Sequence, residues 1–566
     1  MVTRYNNDMK IESGYNLNKE RVFLRVFARS RLSAGRYLLV IIVRFFKGWY
    51  VMVLLALLPI LFLIVALGFL KMAGWKACPI AAIIAFIVAV LCFGMSVPVA
   101  ISAVLEGVAL ACWPILLVIV MALFAYKLTV ATGSFEIIKQ MLSTVSEDKR
   151  VLCLLIAWGF GTFMEGMAGF GTAVAIPAAM LVALGYPPIR TIVACLISNA
   201  VAPSFGSIGI PTTTMASITG IPAVTLATKV SIVSFIPDLI APFLVVICIG
   251  GGLKALKGVG IVTLLSGLAL AIPELLISMT VGAELPVMVS SVIIMAVIVL
   301  YSKASKTVSN PEYKLEMHEE NKKAVSFGEG VKAAMIFILI FVLLVGTSKL
   351  FPAINGPLAS IKTTVPIYIG AGAKPYTFTW IAVPGIMIFI ASILGGLYQG
   401  ASVGKIASVF KDNFIGLRFT YLTIITVVIV AKVMTYSGMT QEIADALVYA
   451  TGNGYPIFAP LVGGLGAFIT GSCTNANVLF GPLQVSVASS LGMSQPWLAG
   501  ASSLGGCIGK MLSPQSIALG IGAVGAVADG KESEIMRGTV GYCLFLLVVA
   551  GIITIIAPSV VPFLVN

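Results

Sequence analysis

The stretch VLCLLIAWGFGTFMEGMAGFGTAVAIP, residues 151–177, decides the fold. From Val151 to Met164 no side chain is charged, and then Glu165 stands among Gly166, Gly169 and Gly171. In hydrocarbon every backbone N–H and C=O needs an internal partner, so broken helices survive only where protein or a water-filled cavity receives them. The stretch therefore reads as a helix that stops at the glycines and resumes toward Pro177. A second stretch of the same character, TGSCTNANVLFGP, spans residues 470–482. There Gly471, Ser472, Thr474, Asn475 and Asn477 interrupt an apolar background. Both suit helix–turn–helix hairpins whose helix starts offer N–H groups and a positive dipole end to an anion.

The rest of the chain agrees with a membrane setting. Of 566 residues, 59% are hydrophobic and 10% charged, against about 25% charged in soluble domains. A water-soluble enzyme, a disordered chain and a coiled coil are all excluded. The apolar runs predict an all-α polytopic membrane protein with about 12–14 transmembrane helices. The net charge of +14 is uneven: residues 1–47 hold ten basic side chains against three acidic ones. Basic flanks stay on the cytoplasmic side, so residues 1–48 are predicted to be a basic cytoplasmic extension. They lack the small-residue cleavage site of a signal peptide. Nine cysteines without a C-x-x-C pair, and one histidine, argue against disulfides or a zinc site. No cofactor and no nucleic-acid partner is expected.

A polar segment, Lys303 to Lys332, carries six basic and five acidic residues and His318. It divides the membrane part into a first repeat, 49–302, and a second, 331–566, with 303–330 as the loop. The halves share motifs. Lys127 and Gly133, followed by Glu136, parallel Lys432 and Gly438, followed by Glu442. Gly159 to Gly166 leads to Phe170-Gly171 as Gly464 to Gly471 leads to Phe480-Gly481. Duplicated segments interrupted by Gly and polar residues mark secondary transporters, and the repeats are expected to be inverted. Ser134 to Arg150 is amphipathic and suits a helix at the membrane interface.

An ionisable group inside an apolar run costs on the order of 2.5–3.5 kcal/mol. Glu165 should therefore pair, face water or titrate, and a carboxyl there can carry a proton across. A helix-end carboxylate or a permanent ion pair is the alternative. Lys510 follows Gly505, Gly506 and Gly509 in a segment superficially like a phosphate-binding loop. The spacing is one residue short and Met511 replaces the needed hydroxyl, so an ATPase is excluded. Lys510 either faces a substrate carboxylate or snorkels from a Gly-x-x-x-Gly packing seam. In the first half, Ser198 to Thr214 is again polar and broken. Asn199 and Thr212 there suit a substrate hydroxyl, or simply packing. Gly400-Ala-Ser402-Val-Gly404 has a nucleophile-elbow spacing but no histidine partner or strand. Glu106, Lys127, Lys432, Asp238 and Glu274 read as interfacial anchors, and His318 as a solvated loop residue.

At these residues the sequence resembles the lactate permease family of bacterial transporters, over nearly all of 49–566. The likeness is carried by Glu165 to Gly171, Ala173 to Pro177, Gly209-Ile-Pro211 and, most specifically, Gly509-Lys-Met-Leu-Ser-Pro-Gln-Ser-Ile517. The resemblance implies uptake of L-lactate, in some members D-lactate or glycolate, with a proton across the bacterial plasma membrane. It also implies paired re-entrant hairpins and an elevator-like motion. Two departures stand out: Cys473 replaces the family's usual acid, and Pro203 sits one residue from the usual place. Residues 1–40 lie outside the pattern. The resulting expectation is a symporter in which Lys510, Ser513 and Gln515 hold the carboxylate. Asn199, Thr212, Ser472, Thr474, Asn475 and Asn477 then hold the hydroxyl or shape the pocket, and Glu165 carries the proton. A sodium-coupled carboxylate transporter is the first rival, and an anion channel the second.

Overall fold

The computed structural model describes residues 49–565, apart from 71, 144, 170, 305–310, 315–324, 349 and 374. The basic extension and His318 lie outside the described residues. Residues 55–566 form one compact unit, which holds everything below; of the unit 1–54, only the opening of helix Trp49–Leu63 is described.

The protein is helical and polytopic. Among the described residues nine helices are long and apolar enough to cross a bilayer, or ten if the bent pair Pro188–Ser198 and Ala202–Thr219 counts as one span. Five shorter apolar helices, such as Thr172–Ala183 and Ala459–Thr470, supply the rest. Among the described residues one β-ribbon stands among the helices. Strands Lys362–Val365 and Tyr376–Thr379 pair antiparallel, Lys362 opposite Thr379. Threonine and aromatic residues favour this pleated pairing, and Thr364 and Thr377 hydroxyls bond across it at 3.0 Å. The ribbon sits on a helix break. Trp113 is extended inside the span Val97–Ala131. Its carbonyl accepts from the Tyr376 hydroxyl, and its indole Nε1 donates to the Thr379 carbonyl at 2.8 Å.

The two halves repeat one succession of elements. In the first, span Val97–Ala131 is followed by amphipathic Ser134–Ser143, then by Lys149–Met167 and Thr172–Ala183 across a break at 168–171. Pro188–Ser198 and Gly206–Thr219 follow as a broken helix bent by 57°, then Ala223–Gly250. In the second half the same order runs Arg418–Ser437, Met439–Thr451, and Ala459–Thr470 with Cys473–Ser490 across Gly471-Ser472. Gln495–Lys510 with Pro514–Val524, and then Glu532–Val560, complete it. The Lys–Gly match falls at equivalent places: Gly133 (φ 74°) and Gly438 (φ 87°) each turn a span into its amphipathic helix. The Phe-Gly match does not, since Gly171 caps a break while Gly481 lies inside a helix.

Small residues let the second hairpin seat closely. A Cβ on Gly505 would lie 1.9 Å from the Pro460 carbonyl oxygen, and one on Gly509 2.2 Å from that of Gly464. Ala459–Thr470 and Gln495–Lys510 therefore pack backbone to backbone, as small-x-x-x-small seams do in bilayers. Gly506 is different, with only ordinary contact at 3.5 Å to Cys473 Sγ.

Candidate functional site

The interrupted segments of both halves converge on a cavity of about 720 Å³. Glu165 reaches it from the last turn before the first break, and Lys510 is the final residue of its helix. Lys510 Nζ lies 3.0 Å from Glu165 Oε1, and the residues are 7% and 3% exposed. A cation in a helix's last turn is favoured by the carbonyl end of the dipole. Glu165 Oε2 is buried without a hydrogen-bond partner. Gly206 makes this geometry possible, because a Cβ there would lie 2.7 Å from Glu165 Oε1.

Two helix starts flank the pair. Ser472 caps Cys473–Ser490, its Oγ accepting from the Asn475 N–H at 3.3 Å. Ser513 caps Pro514–Val524, its Oγ accepting from the Ser516 N–H, also at 3.3 Å. The first cap leaves the Cys473 and Thr474 N–H groups without an intrahelical acceptor, and the second leaves that of Gln515, Pro514 having none, a ready site for an anion. The two breaks touch: Gly471 is left-handed at φ 67°, and a Cβ on it would meet Gln515 Oε1 at 2.2 Å.

Glu165, Lys510, Ser513, Gln515, Ser472, Thr474 and Asn475 line the cavity, as do Gly171 and Gly471. The other sequence candidates stand behind its wall. The Thr212 hydroxyl donates to the Ser204 carbonyl at 2.7 Å. Asn477 Nδ2 donates to the Pro211 carbonyl at 3.1 Å and to Ser503 Oγ at 2.9 Å, tying the two halves together. Asn199 ends helix Pro188–Ser198, with its Oδ1 buried and unpartnered. Gly166 packs against Val287 and Met288, and Gly169 turns at φ 59° beside Ser207. Cys473, where the family's acid was expected, also lines the cavity, and its Sγ lies 3.4 Å from Cys507 Sγ.

Ser207 belongs to the polar stretch Ser198 to Thr214 but is not among the site residues expected from sequence. It lines the cavity, is left-handed at φ 47° beside Ile208 at φ 58°, and donates to the Ala168 carbonyl at 2.8 Å. Such backbone strain in non-glycine residues gathers at functional sites, and nothing in the sequence announces it. Trp75, Thr420 and Thr423 also line the cavity from elements the motif search passed over. Four of the charges read as interfacial anchors are instead buried: Glu106 at 4%, Lys432 at 9%, Asp238 and Glu274 at 1% each. Glu106 Oε1 accepts from Lys432 Nζ at 2.9 Å and from the Tyr436 hydroxyl at 2.7 Å. That second pair, like Glu165–Lys510, joins residues from different halves. Among the described residues no group of three or more His, Cys, Asp or Glu gathers as a metal site.

A cavity walled by broken helices from two like halves, with a buried acid–base pair at its edge, is the build of a membrane transporter. The chain belongs to the L-lactate permease family, whose family model matches residues 52–561. It is 45% identical over 460 residues to an L-lactate permease of Streptococcus iniae, covering 80% of this chain and 94% of that one. Over 536 residues it is 34% identical to the glycolate permease GlcA of Escherichia coli K12, covering 89% and 95%. An L-lactate permease of Bacillus subtilis 168 is 35% identical over 537 residues, covering 88% and 95%.

Proposed function

We propose that this permease imports a small 2-hydroxy-monocarboxylate together with a proton across the bacterial plasma membrane. L-lactate is the first candidate, with glycolate and D-lactate next. The names of the relatives support the substrate class, and the Glu165–Lys510 pair supports the coupling. A substrate carboxylate and Glu165 compete for one ammonium group. A proton on Glu165 releases Lys510 to the substrate; loss of that proton restores the pair and expels the anion. Binding thus favours anion and proton together, which cross without net charge. The membrane potential, worth about 2.3 kcal/mol per charge per 100 mV, then no longer opposes entry.

In this reading Ser513, Gln515 and the free N–H groups of the capped helix starts complete the carboxylate site. Ser472, Thr474 and Asn475 take the hydroxyl, while Thr212, Asn477 and Asn199 shape the wall. Residues 49–302 and 331–566 act as inverted repeats, with 1–48 in the cytoplasm. The test is radiolabelled L-lactate uptake into proteoliposomes under an imposed pH step, with sodium replaced by choline and with glycolate and D-lactate as competitors. Accumulation above the external concentration without sodium is expected. A requirement for sodium would assign the other coupling ion, and mere equilibration would assign a channel.

A further inference from the structure

Away from the cavity, helices Ala223–Gly250 and Gly260–Thr280 bury two carboxyl groups beside each other. Asp238 and Glu274 are each 1% exposed. The Ser234 hydroxyl donates to Glu274 Oε1 at 3.0 Å and also lies beside Asp238. Both carboxyl oxygens of Asp238, and Glu274 Oε2, are buried without a hydrogen-bond partner. Ser231, one turn earlier on the same helix, has a buried hydroxyl turned toward Glu274, also without a partner. The helices are close here. A Cβ on Gly267 would lie 3.1 Å from Leu239 Cα and 3.3 Å from the Asp238 carbonyl oxygen. Pro242, four residues on, has no N–H to give that carbonyl.

No cation answers these carboxyls among the described residues. Glu274 is the titratable group nearest in this packing, since Ser234, four residues before Asp238 on the same helix face, donates to it. Lys229, on the same helix, reaches the Leu564 carbonyl at 2.7 Å. On the packed neighbours, Lys510 is held by Glu165 and Arg150 by Asp148 at 2.6 Å, while Arg190 lies beside Gly251 at the helix end. The remaining charges of these elements stand at helix ends.

Two carboxylates sharing a dry site do not both stay ionised, since neither charge is compensated. Hard metal ions take six or more oxygens around an open hole, and neither carboxyl lines a cavity described above. A proton needs only one of these oxygens. We propose that Asp238 and Glu274 form a second cation site whose ligand is a single proton, held by one of the two carboxyls, with Ser234 orienting Glu274. The site lies apart from the Glu165–Lys510 pair and rests neither on the substrate nor on the coupling assigned there.

Infrared spectroscopy of the purified full chain in lipid nanodiscs tests it. At pH 7 the wild type should show the carbonyl stretch of a protonated carboxyl, shifted by deuterium exchange. The band should persist in Glu165→Gln and vanish completely in Asp238→Asn/Glu274→Gln. In Glu274→Gln alone, a near-isosteric change that keeps the readout if the double variant does not fold, the band should remain but shift in frequency, because Asp238 is still buried without a cation and has lost its acidic neighbour. Absence of the band in the wild type, its survival in the double variant, a band unmoved in the Glu274 variant, or its removal by sodium chloride would overturn the proposal. The band is read without transport, so failure of lactate uptake leaves this result standing on its own.

Discussion

Replacing Lys510 with Met deletes the cation while keeping an unbranched side chain of similar length. Its Nζ stands 3.0 Å from Glu165 Oε1, with both residues under one tenth exposed. Removing one partner of a buried pair costs about 3–5 kcal/mol, because a charge is left uncompensated. A hydrogen bond to a charged group contributes about 1.5–3 kcal/mol, and each 1.4 kcal/mol is about tenfold in affinity. Lys510→Met should therefore raise the KM for lactate by about ten- to a hundredfold. It should also lower the thermal midpoint of the protein in detergent. In Lys510→Met/Glu165→Gln the orphaned charge is gone, so the midpoint should recover toward wild type while the KM stays high. Substrate counterflow in proteoliposomes and thermal unfolding of the same preparations separate the two effects. A folded Lys510→Met protein whose KM stays within twofold of wild type would refute the assignment of the carboxylate to Lys510. A double variant as unstable as the single one would refute the energetic reading of the pair.

Glu165→Gln should retain lactate–lactate exchange and lose accumulation driven by a pH step, which paired exchange and net-uptake assays distinguish. Gly505→Leu should abolish a monodisperse folded species on size exclusion, because even a Cβ there would meet a backbone oxygen at 1.9 Å. Gly506→Ala meets only a 3.5 Å contact and should hold or raise the midpoint, since alanine is better in a helix by about 1 kcal/mol. At Phe327–Ala333, Ser326 and Glu329 form a capping box whose two bonds from Ser326 hold the Glu329 carboxyl below the usual range. The box is then intact above that range and opens as pH falls through the lowered value, and Ser326→Ala should fray the first turn at all pH values, both visible by hydrogen exchange.

Much of the site was legible because charge in an apolar run is costly enough to be noticed. Glu165 stands out for that reason and Lys510 for its place after Gly505, Gly506 and Gly509, and the structure brings them together across 345 residues. Ser472 and Ser513, expected as substrate ligands, also cap their helices, a role their place before helical runs allows. What sequence does not encode is depth. Asp238 and Glu274 sit in long helices where a charge at the interface and one at the centre look alike, and only the packing of the two helices tells them apart. Thr212 and Asn477 look like ligands because they are polar and near a break, yet breaks also free carbonyls, and those carbonyls claim them. The ribbon at 362–379 has no counterpart in the sequence reading, because strands of four residues each are too short to show a period against the apolar runs around them. Ser207 was invisible because its strain is imposed by neighbours remote in sequence.

The long reach of the Glu165–Lys510 contact bears on biogenesis. A ribosome adding about 5–20 residues per second needs roughly 17–70 s to travel from one partner to the other. Throughout that interval the nascent first half has its acid and lacks its base, and Glu106 waits similarly for Lys432, 326 positions downstream. Final closure of the helical bundle is thus deferred until nearly the whole polypeptide has emerged, and a truncated translation product lacking the last sixty residues would present an unmated carboxyl to the insertion machinery.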